Sequence, residues 1–245
     1  MAGIDRGRPP RAGDGAQKRP PEGKRGARRE PERTRDAVAA RASGSSESAE
    51  RATFAVIRES AGACRACDLW RRGTQTVFGD GPVPADVMLI GEQPGDQEDR
   101  AGRPFVGPAG RVLRAALARA GIDPEATYVT NVVKHFKWEP RGKRRLHKKP
   151  SQVEMEACRP WLDAEIALVK PRIIVCLGAT AAQALLGRDF RVTKARGTPV
   201  PSALAPYVVA TVHPSSLLRA PDPETRDTEM NHFLADLAAV RSLMG

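Results

Sequence analysis

No apolar run in this chain of 245 residues approaches the roughly 18 to 20 residues that a membrane-spanning helix requires. The N-terminus also lacks the apolar core of a secretory signal, because Arg, Pro and Gly interrupt it throughout. These two absences predict a cytoplasmic protein with no membrane partner. Cysteine is scarce, at four residues (Cys64, Cys67, Cys158 and Cys176), and in a reducing cytosol none of them is expected in a disulfide. Acidic residues are in deficit: 29 Asp and Glu stand against 40 Lys and Arg, for a formal net charge of +11. A balance of that sign points to a polyanionic partner, nucleic acid in preference to a membrane surface.

Bulky apolar side chains are almost missing from residues 1–45, which are rich in Arg, Pro, Gly, Glu and Asp. Such a segment cannot bury enough surface to offset its ordering entropy. The expectation is a disordered basic tail over 1–45, followed by one folded domain over 46–245. In that domain Ser48–Ala63 reads as a helix, and Asp86–Gly91, Thr127–Val133, Arg172–Leu177 and Tyr207–Val212 read as strands. The continuous apolar runs among them are the mark of strands buried on both faces. Arg111–Ala120 has helical spacing, with Gly121 as a stop. Ser151, with Glu154 three residues on, forms the capping-box pattern that opens a helix through Val169. A further helix runs from Gly178 to Leu186, and Met230–Met244 closes the chain as an amphipathic helix. Strands alternating with helices predict an α/β fold: three α/β/α layers around a central four-stranded parallel sheet.

Sites in such sheets form at the carboxyl ends of the strands. Three chemically loaded segments fall there: Gly91-Glu92-Gln93-Pro94-Gly95 after the first strand, Asn131 to His147 after the second, and His213-Pro214-Ser215-Ser216-Leu217 after the fourth. The middle segment leads into Gly142-Lys143-Arg144-Arg145-Leu146-His147-Lys148-Lys149-Pro150, one histidine inside a dense run of positive charge. Charge and spacing alone make His147 a phosphate-contacting residue in a basic loop; its imidazole is also a possible nucleophile. Asn131 reads as a strand-end cap, Phe105 as a core aromatic and His213 as a structural hydrogen-bonder, each beside a functional alternative. Cys64-Arg65-Ala66-Cys67 is a CxxC pair that no strand precedes, which favours a metal over a thioredoxin-like redox site.

Taken in order, these motifs resemble the uracil-DNA glycosylase superfamily, and within it the iron–sulfur branch, over about residues 60–240. Gly91 to Gly95 with Asp96, Glu98 and Asp99, then Arg103-Pro104-Phe105-Val106-Gly107-Pro108-Ala109-Gly110, is similar to the family's first motif. Thr130-Asn131-Val132-Val133-Lys134 and His213 to Arg219 are similar to its later ones. Lys143-Arg144-Arg145-Leu146-His147 resembles the signature loop of the UdgX subgroup, whose histidine becomes covalently bonded to DNA; Leu146 stands where that subgroup commonly has isoleucine.

The resemblance implies a glycosylase acting on uracil in DNA, preferentially single-stranded, as a monomer. Asn131 would read the uracil edge, Phe105 would stack on the base, His213 would donate to the departing uracilate, and backbone N–H groups around Gln93 would position it. Glu92 would orient His147 and accept its proton as the imidazole attacks the sugar, leaving a single-turnover enzyme joined to its product. Lys143, Arg144, Arg145, Lys148, Lys149 and Ser215 would meet the DNA backbone, and Leu217 and Leu218 would wedge into the vacated base position. Cys64, Cys67 and Cys158 match three cysteine ligands of a [4Fe–4S] cluster, and His135 occupies the place of the fourth. The residues alone fit a Cys3His zinc site equally well. Cys176, inside an apolar strand, is expected in the core. Two other functions stay open: a conventional turnover glycosylase of the same branch, and a non-catalytic DNA-binding module with structural zinc.

Overall fold

The apolar runs are strands covered on both faces, and alternate residues of each serve opposite layers. The computed structural model describes Glu50 and residues 52–245; the tail expected over 1–45 lies outside the described residues. In chain order the elements are α1 (residues 52–62), β1 (Val87–Gly91), α2 (Asp96–Ala101), α3 (Pro108–Arg119), β2 (Thr127–Asn131), β3 (Trp138–Arg141) and β4 (Arg144–His147). They continue with α4 (Gln152–Val169), β5 (Ile173–Leu177), α5 (Ala179–Leu186), α6 (Val192–Ala195), β6 (Pro199–Val200), β7 (Tyr207–Thr211), α7 (Pro214–Leu217) and α8 (Pro223–Leu243).

The main sheet runs β2-β1-β5-β7-β6, with the first four strands parallel in register and β6 antiparallel to β7. The four expected strands are thus present, joined by a two-residue edge strand too short to carry a periodic signal. Met88, Ile90, Ile174, Cys176 and Val208 pack with α4 and α5 on one face. Val87, Leu89, Ile173, Val175 and Val209 pack with α3 and α8 on the other. This is the expected three-layer α/β/α arrangement. Among the described residues no helix is long and apolar enough to cross a membrane.

Local chemistry sets the helix that backs the site. Ser151 Oγ accepts from the Glu154 backbone N–H, and Glu154 Oε2 accepts from that of Ser151 at 2.6 Å, closing the capping box at the start of α4. A cap of this kind contributes about 1 kcal/mol. Glu154 Oε2 also takes a bond from Lys137 Nζ at 2.8 Å, which ties the start of α4 to the segment leading into β3.

The basic loop of the sequence reading is a β-hairpin. β3 and β4 pair antiparallel, Trp138 opposite His147 and Arg141 opposite Arg144, around a two-residue turn at Gly142-Lys143. Gly142 has φ 57°, the left-handed value that the first position of a tight hairpin turn of this hand demands. β2 accordingly ends at Asn131 instead of Val133, because the chain must leave the sheet to form this ribbon.

Candidate active site

The carboxyl ends of β1, β2, β5 and β7 bring the three loaded segments together. At the end of β1, Gly91 lies beneath the Asn131 side chain and the Phe105 ring. A Cβ built there would collide with Asn131 Oδ1 and stand 2.8 Å from Phe105 Cζ, so glycine is what lets both groups close over the strand end. The Asn131 residue is 3% exposed, with its side-chain amide over Gly91. A side-chain amide carries both a donor and an acceptor and can read a ligand edge that offers both. Phe105 takes φ 54°, a strained value for an aromatic residue, and its ring is stacked near that of His213, with 6.1 Å between centroids and 29° between planes.

His213 follows β7 and caps α7. Its Nδ1 accepts from the Ser215 backbone N–H at 3.2 Å and lies 2.8 Å from Ser215 Oγ, which itself accepts from Arg219 Nη1 at 3.0 Å. Nδ1 is therefore an acceptor, and the proton of the neutral ring sits on Nε2. Burial first, then the nearby Arg219 and His147 charges, push the His213 pKa down to about 4. At neutral pH this imidazole is an uncharged N–H donor. Gly178, at the end of β5, leaves room for it: a Cβ there would stand 3.0 Å from that of His213.

His147, at the end of β4, faces Glu92: Nε2 is 3.4 Å from Glu92 Oε1. Its ring lies tilted 6.1 Å from Phe136 and its side chain is 50% exposed. Burial lowers the His147 pKa, Glu92 raises it and Arg219 lowers it, with a net fall from the usual histidine value. The other Glu92 oxygen accepts from the hydroxyl of Thr180, near the start of α5. The sequence reading did not include Thr180. It lies 88 residues from Glu92, and a threonine just after a strand gives no local cue to such a partner.

Three tethers fix the hairpin, and one of them revises the sequence reading. The Gln93 side chain is fully used: Nε2 donates to Lys148 O at 2.9 Å and Lys137 O at 3.3 Å, while Oε1 accepts from Lys137 N at 3.1 Å. It clamps the two hairpin stems together. Arg145, expected on a phosphate, instead pairs with Asp96 and with Asp99 at 2.6 Å, and its guanidinium lies 5.4 Å from both the Phe136 and Trp138 rings. Its side chain is 14% exposed, which leaves Lys143, Arg144, Lys148 and Lys149 as the exposed cations of the 142–150 run. Trp138 supplies the third tether, to the Arg72 carbonyl. A further correction concerns the wedge. Leu217 is 1% exposed within the core, whereas Leu218 is 43% exposed and free to meet a ligand.

Beneath Asn131 lies a buried network that joins Thr130 and Lys134 of the motif to Glu165 of α4. Lys134 Nζ donates to Asn131 O at 2.7 Å, Thr130 Oγ1 at 2.8 Å and Glu165 Oε2 at 2.5 Å. Glu165 Oε1 accepts from Gly79 N, Tyr128 OH and Thr130 Oγ1. Lys134 and Glu165 are 1% and 0% exposed, so the pair is fully desolvated and satisfied.

The four expected metal ligands line one small cavity. Cys64, Cys67, His135 and Cys158 surround it with Ala61, Lys134 and Trp161. Among the described residues no three ligating side chains converge on a single point as one metal ion would require. Thr76 Oγ1 donates to Ala61 O and lies 2.9 Å from His135 Nε2, which makes Nε2 the proton-bearing nitrogen and leaves Nδ1 with the lone pair. Burial pushes the Cys158 thiol up to about 11 and raises Cys67, opposed at each by a backbone N–H, from Lys134 and Leu69 respectively. Cys176, pushed up to about 12 by burial alone, is in the core of the sheet.

Comparison with known proteins agrees with this architecture. The chain is 38% identical over 172 residues to a type-4 uracil-DNA glycosylase of Thermotoga maritima, covering 70% of this chain and 86% of that protein. It is 36% identical to a type-4 uracil-DNA glycosylase of Sulfurisphaera tokodaii, over 68% of this chain and 76% of that one. A third protein of the same description, from Pyrobaculum aerophilum, is 38% identical over 64% of this chain and 81% of its own length. The sequence profile of the uracil DNA glycosylase superfamily matches residues 78–238, which spans the sheet and every strand-end segment described above, and the chain belongs to that superfamily.

Proposed function

We propose that this protein excises uracil from DNA and then stays joined to the resulting abasic site through His147, as the UdgX-like hairpin implies. The observation that carries the reading is the 3.4 Å approach of His147 Nε2 to Glu92 Oε1, beside the pocket of Asn131, Phe105 and His213. Asn131 offers its amide to the uracil edge while Phe105 stacks on the ring. As the bond between C1′ and uracil N1 breaks, its electron pair leaves with the base. The neutral His213 donates its Nε2 proton in a hydrogen bond to the uracilate oxygen, stabilising charge where it develops. One nitrogen of His147 then gives its lone pair to C1′, and the proton on the other passes to Glu92, which Thr180 holds in place. The product is a neutral N-alkyl imidazole, a poor leaving group, so the adduct persists. Lys143, Arg144, Lys148, Lys149 and Ser215 meet the DNA backbone, and Leu218 replaces Leu217 as the wedge.

Mixing the protein with a uracil-containing oligonucleotide and boiling before a denaturing gel tests this reading. The expected result is a slow, heat-stable protein–DNA band. Alkali-cleavable abasic product without that band would establish the conventional turnover enzyme instead. Protonated imidazole has no lone pair to give, and the His147 pKa lies below the usual value near 6.5. Adduct formation is therefore expected to be flat above neutrality and to decline as pH falls through the acidic side of the histidine range.

Cys64, Cys67, Cys158 and His135 would hold a [4Fe–4S] cluster. Donors spread around a cavity suit a multi-atom group better than one zinc ion, whose ligands must all lie within about 2.3 Å of a single point. The backbone N–H groups at Cys67 and Cys158, and the Thr76 bond that orients His135, are supports that such ligands use. The cluster's role would be structural, binding α1 and the 64–72 loop to the base of the hairpin. Iron and acid-labile sulfide in about equal amounts are expected on elemental analysis; zinc without sulfide would refute the assignment.

A further inference from the structure

Trp138 occupies a singular place in the hairpin. It stands directly across the ribbon from His147, and directly opposed residues of an antiparallel pair present their side chains on the same face. Its ring lies 5.4 Å from the Arg145 guanidinium, which is itself held by Asp96 and Asp99. Its indole Nε1–H donates to the Arg72 carbonyl at 2.9 Å, 66 residues away. Arg72 is itself placed by its own N–H, which donates to Leu69 O at 3.1 Å, in the turn that follows Cys67.

The other tethers act on β4 and on the stems at the base of the ribbon. Gln93 clamps the stems at Lys137 and Lys148, Lys137 Nζ holds Glu154 on α4, and Arg145 anchors the middle of β4 to α2 and to Thr74 Oγ1 at 3.2 Å. A pivot of the ribbon about these attachments would change the distance from His147 to its target. The Trp138–Arg72 bond adds an attachment on β3, the opposite strand, so it opposes that rotation. The cost of losing it falls on geometry, not on the chemistry of the base pocket, because Trp138 bonds to Arg72 and packs on Arg145, whereas Phe105 stacks on His213 and Asn131 lies over Gly91.

We infer that Trp138 is a positioning residue for the covalent step, a latch that keeps His147 close enough to the sugar to outcompete water. The inference rests on the self-joining function proposed above. When C1′ becomes cationic, attack by His147 gives the adduct, and attack by water with loss of a proton gives the free abasic site. A ribbon that swings away allows water more of these events without slowing departure of the base. The quantity that Trp138 sets is therefore a partition ratio.

The test measures total uracil released and boiling-resistant adduct in the same single-turnover reaction, with the full-length protein and a uracil oligonucleotide. Trp138→Phe keeps a ring over Arg145 and deletes the N–H donor. The expected result is uracil release within about twofold of the parent, and an adduct-to-abasic ratio lower by roughly threefold to tenfold, the range that one partly exposed hydrogen bond controls. Trp138→Gln carries an N–H donor the same number of bonds from Cβ without the ring, and is expected to restore part of the ratio. Thermal melts of both variants show that each is folded. An unchanged ratio in Trp138→Phe, with the parent forming adduct, overturns the latch. So does a proportional fall in release and adduct, which would mark Trp138 as a general structural or DNA-contacting residue. A parent protein that turns over without any adduct overturns the self-joining function itself, and the latch with it.

Discussion

If the proposed function holds, replacing His147 with serine is expected to abolish the boiling-resistant protein–DNA band and leave uracil release intact, so that the variant recycles. In the proposed reaction the two halves use different groups: departure of the base would depend on Asn131, Phe105 and His213, all of them outside the hairpin, whereas capture of the sugar would depend on an imidazole at the end of β4. Serine removes the nucleophile and opens space beside Glu92, whose Oε1 loses the imidazole 3.4 Å away. Water placed there has a carboxylate to accept its proton, so hydrolysis takes over the second step. The measurement is product per enzyme under substrate excess. The parent is expected to stop near one equivalent, and the variant to exceed it many-fold. A variant that still forms the adduct would show that another residue is the nucleophile.

The largest effect on stability is expected from Lys134→Met. Lys134 and Glu165 are each almost wholly buried, and among the described residues the lysine is the only cation hydrogen-bonded to that carboxylate. Removing one member of a buried ion pair leaves a desolvated charge behind and typically costs about 3 to 5 kcal/mol. For a domain of this size each kcal/mol lowers Tm by roughly 2 to 4 °C, so a fall of about 6 to 20 °C is expected on melting. Leu at position 165 in the same chain removes the stranded carboxylate, and Lys134→Met/Glu165→Leu is expected to recover much of the loss. Both variants also release the Asn131 carbonyl from its bond to Lys134 Nζ. Uracil release measured well below the melting range is therefore expected to fall in the single and the double variant alike. Equal melting of single variant and parent would show that the pair contributes nothing to stability.

How much of this could be read from the amino-acid order differs by element. The strands at Val87–Gly91 and Ile173–Leu177 were legible because burial on both faces requires an unbroken apolar run, and no other element of five residues has that need. The start of α4 was legible because a capping box is complete within four residues. The ribbon of β3 and β4 was not. Its positive charges and Pro140 obscured the strand alternation, and the single cue was a glycine placed for a two-residue turn.

The site divides along the same line. Residue order alone determined which side chains stand at the strand ends, because the parallel sheet delivers Glu92, Asn131 and His213 to one edge whatever else the chain does. It also determined that a histidine is carried in a basic segment nearby, and that three cysteines and His135 are available as ligands. Only the tertiary structure decided how the cations divide their work: Arg145 is buried against Asp96 and Asp99, while Lys143 and Arg144 remain outside. It likewise decided that Gln93 is a clamp, that Leu217 belongs to the core, and that Thr180 and Glu165 support the site from 88 and 31 residues away. The physical reason is range. Propensity, capping and periodicity act over a few residues, whereas desolvation and pairing of a charged group depend on which distant segments the fold packs against it.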